Sequence, residues 1–240
     1  MKRKPPKGVG TIRLPKLREM TKEILVKNKG KEKKIKEIGF KLAKKGGWKN
    51  SCLASGLLQS AKNIVSKEEF IKIVWDMADD QSWEARESAA MLLRNLLFDD
   101  FDFYLAEMKK MVKNKNPNIR RVAVVGSMHS KITEDQARKI AKYIYEPLLA
   151  DDNVYVRKNL GPFAVSQHLR LYPRMTLEFF EEWLKEKKPR VVWNILNAFQ
   201  PARLRANKDL IPKGKEYLER LSSSEDKTIQ SAIKSLRRRL

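Results

Sequence analysis

Cysteine is nearly absent from this 240-residue chain, which has only Cys52. A single thiol excludes an internal disulfide, a cysteine-rich zinc cage and a multi-cysteine iron–sulfur cluster. Histidine is almost as scarce: His129 and His168, one repeat apart, sit beside neither cysteines nor clustered carboxylates, so no metal site is expected. No apolar run approaches the roughly 18 residues that cross a bilayer, and the N-terminus lacks the apolar core of a secretory signal. No membrane partner is expected, and the location that fits is cytoplasmic, associated with the nucleoid. Walker A and GxGxxG loops are both missing, which argues against a nucleotide ligand. The signatures of nucleophilic catalysis are missing as well. No cofactor is expected.

Carboxylates are the other shortage. The chain has 52 Lys and Arg against 29 Asp and Glu, a net charge of +23, and an isoelectric point near 10.0. So large an excess opposes compaction through self-repulsion unless a polyanion uses it, and nucleic acid is the leading partner class. The competing reading is a charged surface of the heat-stable kind, although such surfaces usually balance their signs.

What the chain does have is a column of matching positions that recurs every 34–37 residues: Asn50, Ala85, Ile119, Val156, Val192 and Ile229. The next column reads Ser51, Arg86, Arg120, Arg157, Trp193 and Gln230, and the one after it Cys52, Glu87, Arg121, Lys158, Asn194 and Ser231. A unit this short cannot bury its apolar face alone, so the period implies stacked repeats. Residues 1–16 are basic and broken by Pro and Gly, and read as a flexible leader. Residues 17–240 read as one solenoid domain, expected as a monomer. Helices are expected over 17–28, 31–45 and 48–61, and then in pairs at 67–79 with 82–97, 101–114 with 117–129, 133–149 with 153–170, 174–186 with 189–199, and 208–222 with 225–239. Ser66 followed by Glu69, and Thr133 followed by Gln136, are capping-box signals. The fold class is therefore all-α, a right-handed α-solenoid of about six HEAT-like repeats. Its basic concave face would bind nucleic acid.

The second helix of each pair carries the core stripe, as in Ala85, Ala89, Leu92, Leu93 and Leu96, or Val156, Leu160, Phe163 and Ala164. The two columns that follow each anchor turn away from that stripe. Arg86, Arg120, Arg121, Arg157 and Lys158 would there track a phosphate backbone, with Asn194 next in its column and Arg190 and Lys227 near the starts of later repeats. A solvated charged face is the alternative. Tyr155, Trp193 and Trp83 interleave with these cations and suit contacts to a sugar or base, or to the core. Trp83 and Glu87 are four apart and share one helix face. Glu87, among cations, suits electrostatic stabilisation of a positive charge. Trp83 equally suits interhelix packing, and Glu87 an ion pair with Arg86 or Arg121. The Asp79-Asp80, Asp99-Asp100 and Asp151-Asp152 pairs read as helix caps.

The segment SWEARESAA, then NIRRVA and VYVRKNLG at one-repeat steps, resembles the HEAT-like alkylpurine DNA glycosylases, the AlkD/AlkC group, over roughly residues 67–200. The resemblance implies repair of alkylated double-stranded DNA, held on the basic concave face, by base excision. A groove tryptophan is followed four residues later by the catalytic carboxylate, here Trp83 and Glu87, and a DNA-contacting arginine comes one repeat on, here Arg121. The carboxylate is a glutamate, as suits AlkC-like members, where AlkD has an aspartate. A second groove aromatic is expected after a glycine, but here Pro162 follows Gly161; Trp193 or Tyr155 would take its place. A non-catalytic HEAT-like protein that binds damaged or branched DNA is the alternative reading, and an RNA- or protein-binding scaffold is a third.

Overall fold

The computed structural model describes residues 14–240, and all of its regular structure is helical. Most of the basic leader thus lies outside the described residues. Its last three positions are helical instead, because α1 (Leu14–Lys27) starts at Leu14. Pro15 falls in the first turn, where a missing N–H removes no helix bond. The chain divides into two compact units, one ending at Ala89 and the other spanning Ala90–Leu240.

In the first unit, α1 and α2 (Glu32–Lys45) both pack on α3 (Trp48–Ser60). Leu53, Leu57 and Leu58 of α3 are buried, each such side chain contributing roughly 1.5–3 kcal/mol on removal from water. The approach of α2 depends on Gly39, where a Cβ would lie 2.7 Å from the Leu58 side chain. The capping box expected at Ser66 and Glu69 opens α4 (Lys67–Ala78). Lys36 bridges back to it, donating to the Ile64 carbonyl at 2.9 Å and to Glu69 at 2.8 Å. Helix α5 (Trp83–Asp99) starts in this unit.

The second unit continues as α6 (Phe101–Met111), α7 (Pro117–Gly126) and α8 (Glu134–Ile140). It then runs through α9 (Val154–Asn159), α10 (Ser166–Leu171), α11 (Pro173–Trp183), α12 (Pro189–Ala198), the short α13 (Pro201–Ala206), α14 (Leu210–Leu221) and α15 (Lys227–Arg237). The second helices of successive pairs stack in chain order. α7 packs on α9, the π-helical segment between α9 and α10 packs on α12, and α12 packs on α15. This is the solenoid arrangement the period implies. Val122, Val156, Leu160, Val192, Ile195 and Leu196 form its fully buried seam. The box at Thr133 and Gln136 caps α8 as expected.

Two helices depart from the expected regularity. The run over 133–149 loosens into a π-helical segment, Ala141–Tyr145, and a 3-10 turn, Glu146–Leu148. Between α9 and α10 the helix opens into a π segment, Leu160–Val165. Pro162 explains the second opening: it has no N–H to donate, and its ring would collide with the carbonyl four residues back in an α-helix. Gly161 fixes what this segment packs on. A Cβ there would lie 2.4 Å from the Asn194 carbonyl oxygen. The Gly161 N–H donates to Asn194 Oδ1 at 3.0 Å, and Asn194 Nδ2 donates to the Leu149 carbonyl at 2.7 Å.

One histidine belongs to this interior. His168 is buried, and its Nε2 lies 3.2 Å from the Tyr145 hydroxyl, which is 3.1 Å from Ser127 Oγ. Burial lowers its pKa from 6.5 to about 3. The unfolded chain therefore takes up a proton on this ring that the folded chain refuses. The stability it supports is complete above pH 6.5 and declines as pH falls toward 3, at roughly 1.4 kcal/mol per pH unit. We expect His168→Phe to show a shallower loss of unfolding free energy between pH 6 and pH 5 by urea titration; an unchanged slope would contradict the assignment.

Candidate nucleic-acid interface

The arginine column is the first feature the coordinates redefine. Arg120 Nη1 donates to the carbonyls of Asn114 and Lys115, both at 2.9 Å. Arg157 Nη1 does the same with Asp151 and Asp152, both at 2.7 Å, and Arg86 Nη1 with Asp80 at 2.7 Å and Gln81 at 2.8 Å. In each case the partners are the residues six and five positions back, in the loop that precedes the helix. The residue six back is Asp80, Asn114 or Asp151, and its Oδ1 accepts from the backbone N–H two residues on, at 2.7–2.8 Å. Asp151 also links two repeats, taking Arg120 Nε at 2.6 Å and Nη2 at 3.0 Å. Asp80 makes the matching link in the first unit, accepting from the Gly47 N–H at 3.0 Å.

Arg86, Arg120 and Arg157, expected to hold phosphates, thus fasten loops to helices. The reason is physical: loop carbonyls against a helix start need donors, and a guanidinium supplies two from one nitrogen's reach. Asn194, expected at the surface, is fully buried in the contact with Gly161. Arg121 is 7% exposed, its guanidinium 5.4 Å from the Tyr155 ring centroid. Lys158, Arg190 and Lys227 are exposed, while Trp193 and Tyr155 are half-buried. Lys227 borders an open depression on α15 with Gln230, Lys234 and Arg237.

Charge is sorted between the two helices of each pair. Helices α3, α7, α9, α10, α12 and α15 contain no Asp or Glu, and α5 alone among the second helices has carboxylates, at Glu84, Glu87 and Asp99. The acids lie mainly on the first helices, where they pair with basic neighbours. Examples are Glu69 with Lys36, Glu178 with Arg138 and Glu181 with Arg220. Such exposed pairs stabilise little, about 0–1 kcal/mol each, but they offset charge in that layer and leave the second helices other than α5 positive.

Trp83 and Glu87 stand in this setting. Trp83 is the first residue of α5 and 59% exposed. It is therefore not the interhelix packing residue that its size also allowed. Glu87 is one turn on, half-buried. Glu84, between them, accepts from Ser82 Oγ at 2.8 Å.

Phe163 is the residue that sequence reasoning misplaced. Its register put it in the core stripe, yet it is 56% exposed. The π segment at Pro162 alters the helix there, so of the two adjacent stripe positions Ala164 is buried as expected while Phe163 is turned outward. The signal was present in the proline at 162, which cannot continue an α-helix unaltered.

A sequence model of the DNA alkylation repair enzymes matches residues 9–188. The chain belongs to this family of DNA repair proteins, and DNA is its substrate or partner. No curated protein matches the chain. Among solved structures it is similar to a designed armadillo repeat protein, 18% identical, with 95% of this chain and 100% of that chain covered and a TM-score of 0.37.

The reassignment of the arginine column has a direct consequence. Arg120→Gln should cost roughly 2–4 kcal/mol of unfolding free energy, since it strands Asp151 and two carbonyls, whereas Lys158→Gln should change it by less than about 0.5 kcal/mol. Urea unfolding of the two variants side by side decides this, and equal midpoints would contradict it.

Proposed function

We propose that the protein is a monofunctional DNA glycosylase that removes cationic N3- or N7-alkylated purines from duplex DNA. One observation carries the reading: an exposed tryptophan and a carboxylate sit one turn apart at the start of α5, in a set of helices otherwise almost free of acids. The family membership supplies the context of alkylation damage.

An alkylated purine already bears a positive charge, so it is a good leaving group. As the C1′–N bond breaks, its electron pair moves to the purine and neutralises it, while the sugar becomes an oxocarbenium ion. Glu87 stabilises that cation electrostatically and orients a water whose oxygen adds to C1′; the water proton is then released. Trp83 packs on the sugar of the lesion, where its face adds cation–π attraction. The chemistry calls for no metal and no nucleotide. It also needs no base pocket, because the attacked atom is on the sugar and not on the base.

Grip on the duplex comes from Lys158, Arg190 and Lys227, with Tyr155 and Trp193 as aromatic contacts. Phe163 supplies the aromatic surface that Pro162 withholds from the position after Gly161. Arg121 supports Tyr155 from within. The substitution at Pro162 is the one observation that favours a purely DNA-binding protein, and the exposure of Phe163 supports the glycosylase reading against it.

Single-turnover excision from methylated duplex DNA tests the reading. Glu87→Gln should lose roughly 100-fold or more in excision rate while holding duplex DNA as tightly as the unaltered protein. A variant as fast as the parent would remove Glu87 from the mechanism. Phe163→Ala should weaken duplex binding by roughly fivefold or more; unchanged affinity would leave Phe163 outside the interface.

A further inference from the structure

The second unit contains a pocket separate from the residues discussed so far. It measures about 320 Å³ and is lined by Arg94 and Asn95 from the C-terminal part of α5, His129 and Ser130 from the segment after α7, and Gln167 and Arg170 from α10. No Asp or Glu lines it. Three consecutive second helices thus bring hydrogen-bond donors to one place, two of them guanidinium groups.

The surroundings deepen the positive field. Arg170 acts on Arg203, whose pKa is lowered by burial and then by that neighbour. Arg203 Nε donates to Ser166 Oγ at 3.3 Å, which fixes it beside α10. His129 is held below its ordinary pKa by burial and by Arg94 and Lys131. The Lys131 N–H donates to His129 Nδ1 at 3.1 Å, so the neutral ring carries its proton on Nε2 and is a donor there. Phe98 stacks on the His129 ring, centroids 4.9 Å apart and 18° between planes, and is 55% exposed. Asp99 and Asp100 follow Phe98, and Asp100 is engaged as the cap of α6, accepting from the Phe103 N–H at 3.2 Å. Like-charged donors gathered around a recess, with no acid among its walls, are the arrangement that receives an anion.

We infer that this pocket binds a phosphate group, with Arg94 and Arg170 as the charged donors and His129, Asn95 and Gln167 as neutral ones. The group belongs either to a DNA strand or to a small phosphate compound. The exposed Phe98 beside the pocket gives a nucleotide a surface to stack on and favours the strand. The inference is independent of the excision chemistry and does not involve Trp83 or Glu87.

His129 reports on this site directly. The chain has two histidines, and the other, His168, is fully buried and stays neutral, so it serves as an internal reference. The ring resonances of His129 would be followed by NMR at fixed pH while inorganic phosphate, or in a second series a short undamaged duplex, is added to the full-length protein. We expect a saturable shift of His129 alone, and an Arg94→Gln/Arg170→Gln variant in which the apparent affinity falls roughly tenfold or more. A shift with the duplex assigns the phosphate to a DNA strand; a shift with inorganic phosphate and none with the duplex assigns it to a small phosphate compound. No saturable shift in either series, or the same shift in the double variant, overturns the proposal. Thermal unfolding of the double variant checks its integrity, and Arg170→Gln alone, at an exposed position, provides a second reading. Loss of this site with excision intact is distinguishable from failure of the glycosylase reading.

Discussion

Each of three repeats closes by the same small device. One guanidinium nitrogen, on Arg86, Arg120 or Arg157, donates to two successive carbonyls of the loop before its helix. A tight loop between two helices leaves such carbonyls without partners, and a repeat protein faces that problem at every unit. The aspartates at the same loops then connect neighbours, Asp151 to Arg120 in the second unit and Asp80 to Gly47 in the first. Cations and anions of a highly basic chain are thus committed to holding helices together before any remain for a ligand. The positions of the remaining exposed residues on the second helices depend on this frame.

The frame also explains how a chain with 52 basic residues folds without its charges driving it apart. Acids are gathered on the first helices, where they pair, and the second helices keep their positive charge for a polyanion. Glu87 is conspicuous against that background. In the proposed reaction a fixed carboxylate favours the cation that develops only during bond cleavage, which is the condition under which an electrostatic group accelerates a reaction.

Much of the fold was legible from the residues. The repeat column gave the helix pairs, and Ser66 with Glu69 and Thr133 with Gln136 marked helix starts at the right positions. The arginine column was equally visible, but its role was not. A helical wheel places Arg120 away from the core stripe, and from there its side chain reaches outward to a phosphate or backward to its own loop with equal ease. Only the loop geometry decides between them. Asn194 misled for a related reason: its burial is forced by the close approach of Gly161 from another repeat, a contact no local pattern encodes. Phe163 was placed in the core by counting through Pro162 as though the helix were regular, and the π segment there turned it outward. For the candidate site, the spacing of Trp83 and Glu87 was legible, while the exposure of Trp83 and the acid-free pocket at Arg94 and Arg170 required the fold.

The central claim is that this scaffold hydrolyses a glycosidic bond using one carboxylate, with no lyase step. Product analysis of a duplex carrying 7-methylguanine tests it most directly. We predict free 7-methylguanine together with a continuous strand that breaks only when alkali is added at the abasic site. Salt-sensitive binding of the same duplex without release of any base would contradict the claim, and would make the protein a sensor of DNA built on an enzyme's frame.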